Sequence, residues 1–445
     1  MDDAKTTGRL WQGLCGDFRG CFTRPGWVRF TQWLTGMVFG WEEHTITQGL
    51  TALGLEDRWR AAEAFAERGA WDREAVEAAL REAIRRRRPA TWHGYEVYAG
   101  DDTKVHRSSP GVWGTCTFHE YTSRCPNRAE TVRAHNWVVS GRLVPGPPWT
   151  FLPTEGRLYF REQQVPAGER FGKKPALLVE LAQGHARSTT SRCLETFDGG
   201  YAVASVVRPL LAGDARTPRV EVLTRLREDS RLYAPPVPPA KLRGRPAQWG
   251  ERWPGPAQAE RWPGPWQTGE AWVYGRRRQV RWKQVLCQWH VAGPGARVHA
   301  FVFEVAGQKK RWSLVTSALD LDGVAVVEAF AARFRQEDGF RDLKQRLGLE
   351  ECRAWTAAPV VRTVQVQLTA MTLLRLLQWE LDAAGVRWWA RPAWNRRKRH
   401  ASILDVRRWL WRFRADFSHF MLALEEVPES PPAARKPRKG RPRAA

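Results

Sequence analysis

No run of about 18 uncharged apolar residues occurs in the chain, so a helix of membrane-spanning length is not expected. The most apolar stretch, Val360 to Trp379, is interrupted by Arg362, Gln365, Gln367, Arg375 and Gln378. The N-terminus opens with Asp2 and Asp3 and carries no signal-peptide core, which fits a soluble, cytoplasmic protein with no membrane partner. Paired cysteines are lacking too: the seven cysteines are an odd number without a C-x-x-C pair, as expected in a reducing compartment. Cys116, His119 and Cys125 lie close together, but their spacing matches no common zinc pattern, and isolated thiols in a strand-rich core are expected. Negative charge is scarce. Against 47 Asp and Glu stand 71 Lys and Arg, a net +24 that calls for a polyanionic partner, with nucleic acid favoured over a membrane surface.

A chain of 445 residues with 43% hydrophobic content can bury more than one core. Residues 1–89 read as a helical, DNA-binding N-terminal region. Trp59 to Arg88 is one long helical pattern ended by Pro89, and Thr45 to Leu55 offers two short amphipathic pieces around Gly49 and Gly54. From residue 90 to 229 strands and helices alternate, which predicts an α/β layer. The strands are Tyr95 into Asp101-Asp102-Thr103, Asn136–Val144, Trp149–Phe160, Cys193–Phe197 and Val220–Leu226, and the helices Pro175–Ala186 and Ala202–Leu211. Residues 230–311 open with Pro235-Pro-Val-Pro-Pro239, repeat Glu-Arg-Trp-Pro-Gly-Pro, and return to strand pattern from Trp272, an insertion of β-strands and loops. Residues 312–376 resume the α/β part with a helix over Val324–Leu347. Residues 377–445 form a helical C-terminal region with a basic tail, Arg435 to Arg443.

Acidic residues at element ends are candidates for phosphodiester chemistry, because hard divalent cations prefer oxygen ligands and leave room for water and phosphate. Asp102 ends the first strand of the α/β part, and Asp198 ends a later strand before Gly199-Gly200. Either could instead be a turn residue. Asp101 is the second choice for the first position, since neighbours on a strand point to opposite faces. Further along, Phe330, Arg333, Glu337 and Lys344 fall within an arc of roughly 60° if the segment is one helix. A carboxylate flanked by two cations suits a metal beside DNA phosphates; the bland alternative is a solvated Arg333–Glu337 pair.

Phe330-x2-Arg333-x3-Glu337-x6-Lys344 resembles the Tyr-x2-Arg-x3-Glu-x6-Lys signature of insertion-sequence-4-type bacterial transposases of the DDE class. Asp102-Thr103 and Asp198 resemble the first two carboxylates of that group. The resemblance covers about residues 40 to 380. It implies an α/β fold in which a ribonuclease-H-like mixed sheet with flanking helices is interrupted by a β-strand insertion, plus helical N- and C-terminal regions. It further implies that Asp102, Asp198 and Glu337 hold two Mg²⁺ ions, with Mn²⁺ able to substitute. The activity implied is cut-and-paste transposition at terminal inverted repeats, on double-stranded DNA, by a homodimer near the bacterial nucleoid. Arg333, Lys344, Phe330, Lys104 and Arg341 would contact DNA. Phe330 departs from the pattern by replacing Tyr, which removes one hydroxyl.

Other features are less specific. Lys104, His106 and Arg107 suit phosphate or a polar loop equally. Trp289 and Trp312 lie where related enzymes hold a flipped base, although with 25 tryptophans ordinary packing is the more frequent use. Arg243-Gly-Arg-Pro246 and Gly440-Arg-Pro-Arg443 suggest non-specific DNA affinity. Two rivals to a transposase remain open on sequence: a non-catalytic DNA-binding repressor and a stand-alone metal-dependent nuclease.

Overall fold

The computed structural model describes residues 2–120, 131–214, 216–236 and 247–426. Cys125, the Arg243–Pro246 segment and the basic tail lie outside the described residues. Five helices open the chain: α1 (Asp2–Gly16), α2 (Arg24–Phe39), α3 (Ile46–Ala52), α4 (Trp59–Arg68) and α5 (Arg73–Arg87). The single helix expected over Trp59–Arg88 is two. Asp72 accepts from the N–H groups of Glu74 at 2.9 Å and Ala75 at 3.2 Å, so its carboxylate starts a new helix where the apolar period alone reads straight through. The pieces expected around Gly49 and Gly54 resolve into α3 followed by a short 3₁₀ turn at Glu56–Arg58.

Four strands follow, β1 (Tyr95–His106), β2 (Cys116–His119), β3 (Thr131–Val144) and β4 (Thr150–Tyr159), then α6 (Lys174–Arg187), β5 (Arg192–Phe197), α7 (Ala204–Ala212) and β6 (Val220–Arg225). The next stretch supplies β7 (Leu232–Tyr233), β8 (Arg252–Trp253), β9 (Gln267–Val273), β10 (Arg276–Trp289), β11 (Arg297–Val305) and β12 (Trp312–Thr316). Helices close the chain: α8 (Gly323–Ala332), α9 (Phe334–Arg346), α10 (Ala357–Ala383), α11 (Ile403–Trp411) and α12 (Arg414–Glu426).

All twelve strands join one mixed sheet. β3 runs antiparallel to both β1 and β4, while β5 lies parallel to both β1 and β6, with α6 and α7 in the connections. The order β4-β3-β1-β5-β6, three antiparallel strands and two parallel ones, is the ribonuclease-H-like sheet. β12 pairs antiparallel with β6 and carries the sheet outward through β11 and β10 to the inserted strands. The strands of residues 232–316 are therefore continuous with the five-stranded part of the sheet by backbone hydrogen bonds.

Side chains alternate across a strand, so each face of β1 meets a different layer. Val97 and Ala99 join the core formed with α8, α9, α10 and the N-terminal helices, whereas Tyr98 joins the core under α6 and α7. The long α10 binds the first of these layers together, and it does so through the polar residues that interrupt its apolar run. Arg362 donates to the carbonyls of Phe65 (3.1 Å), Ala66 (2.8 Å) and Gly69 (3.0 Å) at the end of α4. Gln365 accepts from the Trp71 indole at 2.8 Å, and Gln367 donates to Leu347 and Gly348. Among the described residues no helix is long and apolar enough to cross a membrane.

A buried polar network joins α5 and α6 to the sheet. Ser140 donates to Glu195 (3.2 Å), His185 Nε2 lies 3.1 Å from the Ser140 hydroxyl, and Arg81 donates to Glu155 at 2.6 Å. Burial pushes the Glu195 carboxyl up to about 8, with Ser140 opposing and Glu155 adding. A carboxyl whose folded value is raised favours folding fully below its unfolded value, and that contribution is lost as pH rises through about 8. Glu195→Gln is therefore expected to leave the melting temperature nearly unchanged near pH 5 and to raise it by a few degrees above pH 8. Thermal denaturation at both pH values checks this; equal shifts at the two would mean that the carboxyl carries no folding-linked proton.

Candidate active site

Three elements carry the acidic residues. β1 carries Asp101 and Asp102, the end of β5 carries Asp198, and α9 carries Glu337. Strand parity sorts them. Asp101 shares the parity of Val97 and Ala99, and Asp198 that of Leu194, all three of which face the α8–α10 layer. Asp102 has the parity of Tyr98 and points to the other side.

The contacts agree with this sorting. Arg333 donates to Asp101 at 3.2 Å and to Glu337 at 3.4 Å, so one guanidinium lies between carboxylates from β1 and α9. Burial pushes the Asp101 carboxyl up to about 6; its bond from the Asp102 N–H and the Arg333 charge oppose this, while Asp102 and Asp198 add to it. Asp198 is thus near enough to Asp101 for its charge to be felt. Asp102 instead accepts from Lys174 at 2.6 Å, at the start of α6, and from the Tyr201 hydroxyl at 2.8 Å. Asp102, the expected first carboxylate, does not share a face with Glu337; Asp101 does.

α9 is fixed to the sheet by Gln336, which is fully buried and donates to the carbonyls of Ala99 (3.2 Å) and Val139 (3.0 Å). Gly339 permits the close packing one turn further on, since a Cβ there would meet the Phe151 ring at 2.7 Å. The helix expected over Val324–Leu347 is divided at Arg333, where helical dihedrals persist but the bonds shorten to i→i+3. Phe330 therefore belongs to α8 and is buried under the guanidinium groups of Arg225 and Arg333, each 5.7 Å from its ring.

The remaining expected DNA contacts already have partners within the chain. Lys344 donates to the Lys104 carbonyl at 2.6 Å and pairs with Glu350 at 3.1 Å. The Lys104 ammonium donates to the His119 carbonyl. Arg341 is exposed and paired with Asp338 at 2.8 Å. His106 pairs with Glu120 at 3.3 Å, and Arg107 donates to the Glu350 carbonyl at 2.8 Å. Trp289 and Trp312 are both buried in the packed cores, so neither offers a face for a base as arranged. Cys116 is buried in a small apolar cluster with Phe118 and Phe160. Sequence reasoning missed Lys174, Tyr201, Arg225 and Gln336; only Gln336, adjacent to Glu337, had a positional hint.

Among the described residues no three His, Cys, Asp or Glu side chains converge closely enough to hold an ion. The donors on the α9 face are nonetheless all carboxylate oxygens, the type a hard divalent cation takes, and Arg333 is the cation between two of them. A cavity of about 680 Å³ is lined by residues of α3, α4 and the 352–356 loop, and none of these carboxylates lines it.

Residues 17–290 match the sequence model of the family described as DDE superfamily endonuclease. The chain belongs to that superfamily. The match includes Asp101, Asp102 and Asp198 and ends before α8, so Glu337 rests on its position in the fold. No curated protein matches the sequence. Among solved structures the chain is similar to a cryo-EM structure of a piggyBac transposase synaptic complex with hairpin DNA, at 12% identity and a TM-score of 0.36. That likeness covers 76% of this chain and 59% of the other.

Gln336→Ala should destabilise the protein by roughly 2 to 4 kcal/mol, the scale of a buried truncation that also removes two hydrogen bonds. Chemical denaturation measures it. A change within 0.5 kcal/mol or so would mean that α9 is held in register by other contacts.

Proposed function

We propose that the protein is a transposase that cuts and rejoins DNA phosphodiester bonds, with Asp101, Asp198 and Glu337 as its metal-binding carboxylates. The observation that carries this reading is the pairing of Asp101 of β1 and Glu337 of α9 through Arg333 beside a ribonuclease-H-like sheet, with Asp198, just past the end of β5, near enough to Asp101 for its charge to be felt. Membership in the DDE endonuclease superfamily supports the reaction class, and the net charge of +24 supports a polyanionic substrate.

In this reading the three carboxylates would hold two Mg²⁺ ions, or Mn²⁺ in their place. When bound, such ions activate water and stabilise charge on the scissile phosphate. The chain's own groups do the rest. Arg333 and Arg225 sit over Phe330 and offer cationic charge to phosphate oxygens beside Glu337. On DNA binding Arg333 would turn from its carboxylate partners to a phosphate oxygen. Lys174 and Tyr201 hold Asp102 away from this chemistry and keep β1 in register with α6. Gln336 sets the depth of α9 and hence of Glu337. Terminal inverted repeats are the proposed DNA ends, and joining two ends calls for a homodimer on DNA.

The second reading is a DNA-binding repressor without chemistry, favoured by the guanidinium that lies between Asp101 and Glu337. A DNA fragment carrying the element's terminal repeats, incubated with Mg²⁺, separates the possibilities. Cleavage with joining is the transposase result, cleavage alone a nuclease, and binding alone the repressor. Glu337→Gln and Asp101→Asn are each expected to lower cleavage by on the order of 10²–10³-fold or more, the scale of losing one electrostatic stabiliser in an active site. Asp102→Asn should retain cleavage well above both. If Asp102→Asn is the inactive variant and Asp101→Asn the active one, the choice of first carboxylate is wrong.

A further inference from the structure

The hairpin between β9 and β10 closes in two residues, Tyr274 and Gly275, because Val273 pairs with Arg276. Both turn residues have positive φ, 52° at Tyr274 and 74° at Gly275. A turn of this type favours Asn, Asp or Gly at its first position, and an aromatic residue there is strained. Strain of this kind persists where the surroundings over-determine it, and it clusters at functional sites. What holds Tyr274 is a pair of rings. Its ring lies 5.6 Å from Trp312 and 5.3 Å from Phe334, both tilted steeply against it. Trp312 in turn packs at 6.2 Å on Phe330, the ring beneath Arg225 and Arg333. Phe334 directly follows Arg333, so the tyrosine is anchored against the segment that leads into Glu337.

The hydroxyl at the end of this anchored ring makes no hydrogen bond among the described residues, and the residue is 41% exposed. Burial pushes the phenol up, opposed first by Arg225 and Arg333, while Glu337 adds to the rise, so the group remains a neutral donor within reach of those charges. Beside it opens a cavity of about 420 Å³ whose cationic wall is Arg335, Arg397 and Arg399. Tyr274 lines that cavity together with the three arginines, so a polyanion held against the wall lies beside the phenol.

We propose that Tyr274 is a substrate-contacting residue, its hydroxyl donating a hydrogen bond to a non-bridging oxygen of the DNA phosphate that Arg225 and Arg333 attract. The inserted hairpin thereby supplies one group to the site carried by β1, β5 and α9. This rests on the cleavage reading given above.

The test uses the full chain, supercoiled plasmid DNA as the probe, and Mg²⁺ or Mn²⁺, with nicking followed at rising DNA concentration. Tyr274→Phe removes only the hydroxyl and should keep the parent's melting temperature while nicking falls about 10- to 100-fold, the loss expected for one hydrogen bond to a charged group. The loss should appear in the rate at saturating DNA as well as in the half-saturating concentration. Tyr274→Asn relaxes the turn and should melt higher than the parent while losing at least as much activity. Nicking by Tyr274→Phe at the parent's rate, with Glu337→Gln inactive in parallel, would reduce Tyr274 to a turn residue and leave the cleavage reading intact. A parent chain that nicks no faster than Glu337→Gln would overturn the cleavage reading and the Tyr274 assignment with it.

Discussion

The two-residue period of β1 governs the candidate site. A strand can offer only alternate side chains to one layer, and β1 is covered on both faces, so Asp101 and Asp102 cannot serve the same chemistry. Asp101 looks toward α9 and Asp102 toward α6. Gln336 adds the second constraint, fixing α9 to the backbone of β1 and β3 so that Glu337 stands opposite Asp101. Everything else near the carboxylates answers to these two facts. Arg333 balances the two charges they bring together, and Lys174 and Tyr201 compensate the one sent to the far side.

Much of this was readable from residues alone. A strand through Asp101-Asp102, the short strand before Asp198 and the helix carrying Glu337 all come from local patterns, although β1 runs on to His106 instead of ending at Asp102 because β3 pairs with it from Val97 through His106. The polar interruptions of Val360–Trp379 argued against a membrane helix, and the structure gives them work: Arg362, Gln365 and Gln367 bind the N-terminal helices and the chain after α9. What was not legible is whatever depends on which face meets which layer. Choosing between Asp101 and Asp102 requires knowing that α9, and not α6, covers the odd-numbered residues of β1, and no local pattern carries that information. The break at Arg333 was hidden for a similar reason, because its dihedrals stay helical and only the hydrogen-bond spacing changes.

The expected DNA contacts illustrate the same point from the cationic side. Arg333 and Lys344 recur at helical spacing and look equivalent in sequence. In the fold Arg333 sits between two carboxylates, whereas Lys344 is bound to the Lys104 carbonyl and Glu350. Arg225, which no motif singled out, reaches the same ring as Arg333 because β6 runs alongside β5 and ends beside α8. Charge placed by topology is invisible to a reading that follows the chain one residue at a time.

The way the inserted strands are attached has a mechanical consequence. β12 is laddered to β6 on one side and to β11 on the other, and β11 continues to β10 and its hairpin. Among the described residues the hairpin tip is thus spliced to the carboxylate-bearing strands with no hinge between them. A part joined in this manner cannot swing aside like a door to admit a long stiff polymer. Under the proposed function, a stiff polymer would meet this tip as a fixed edge of the sheet.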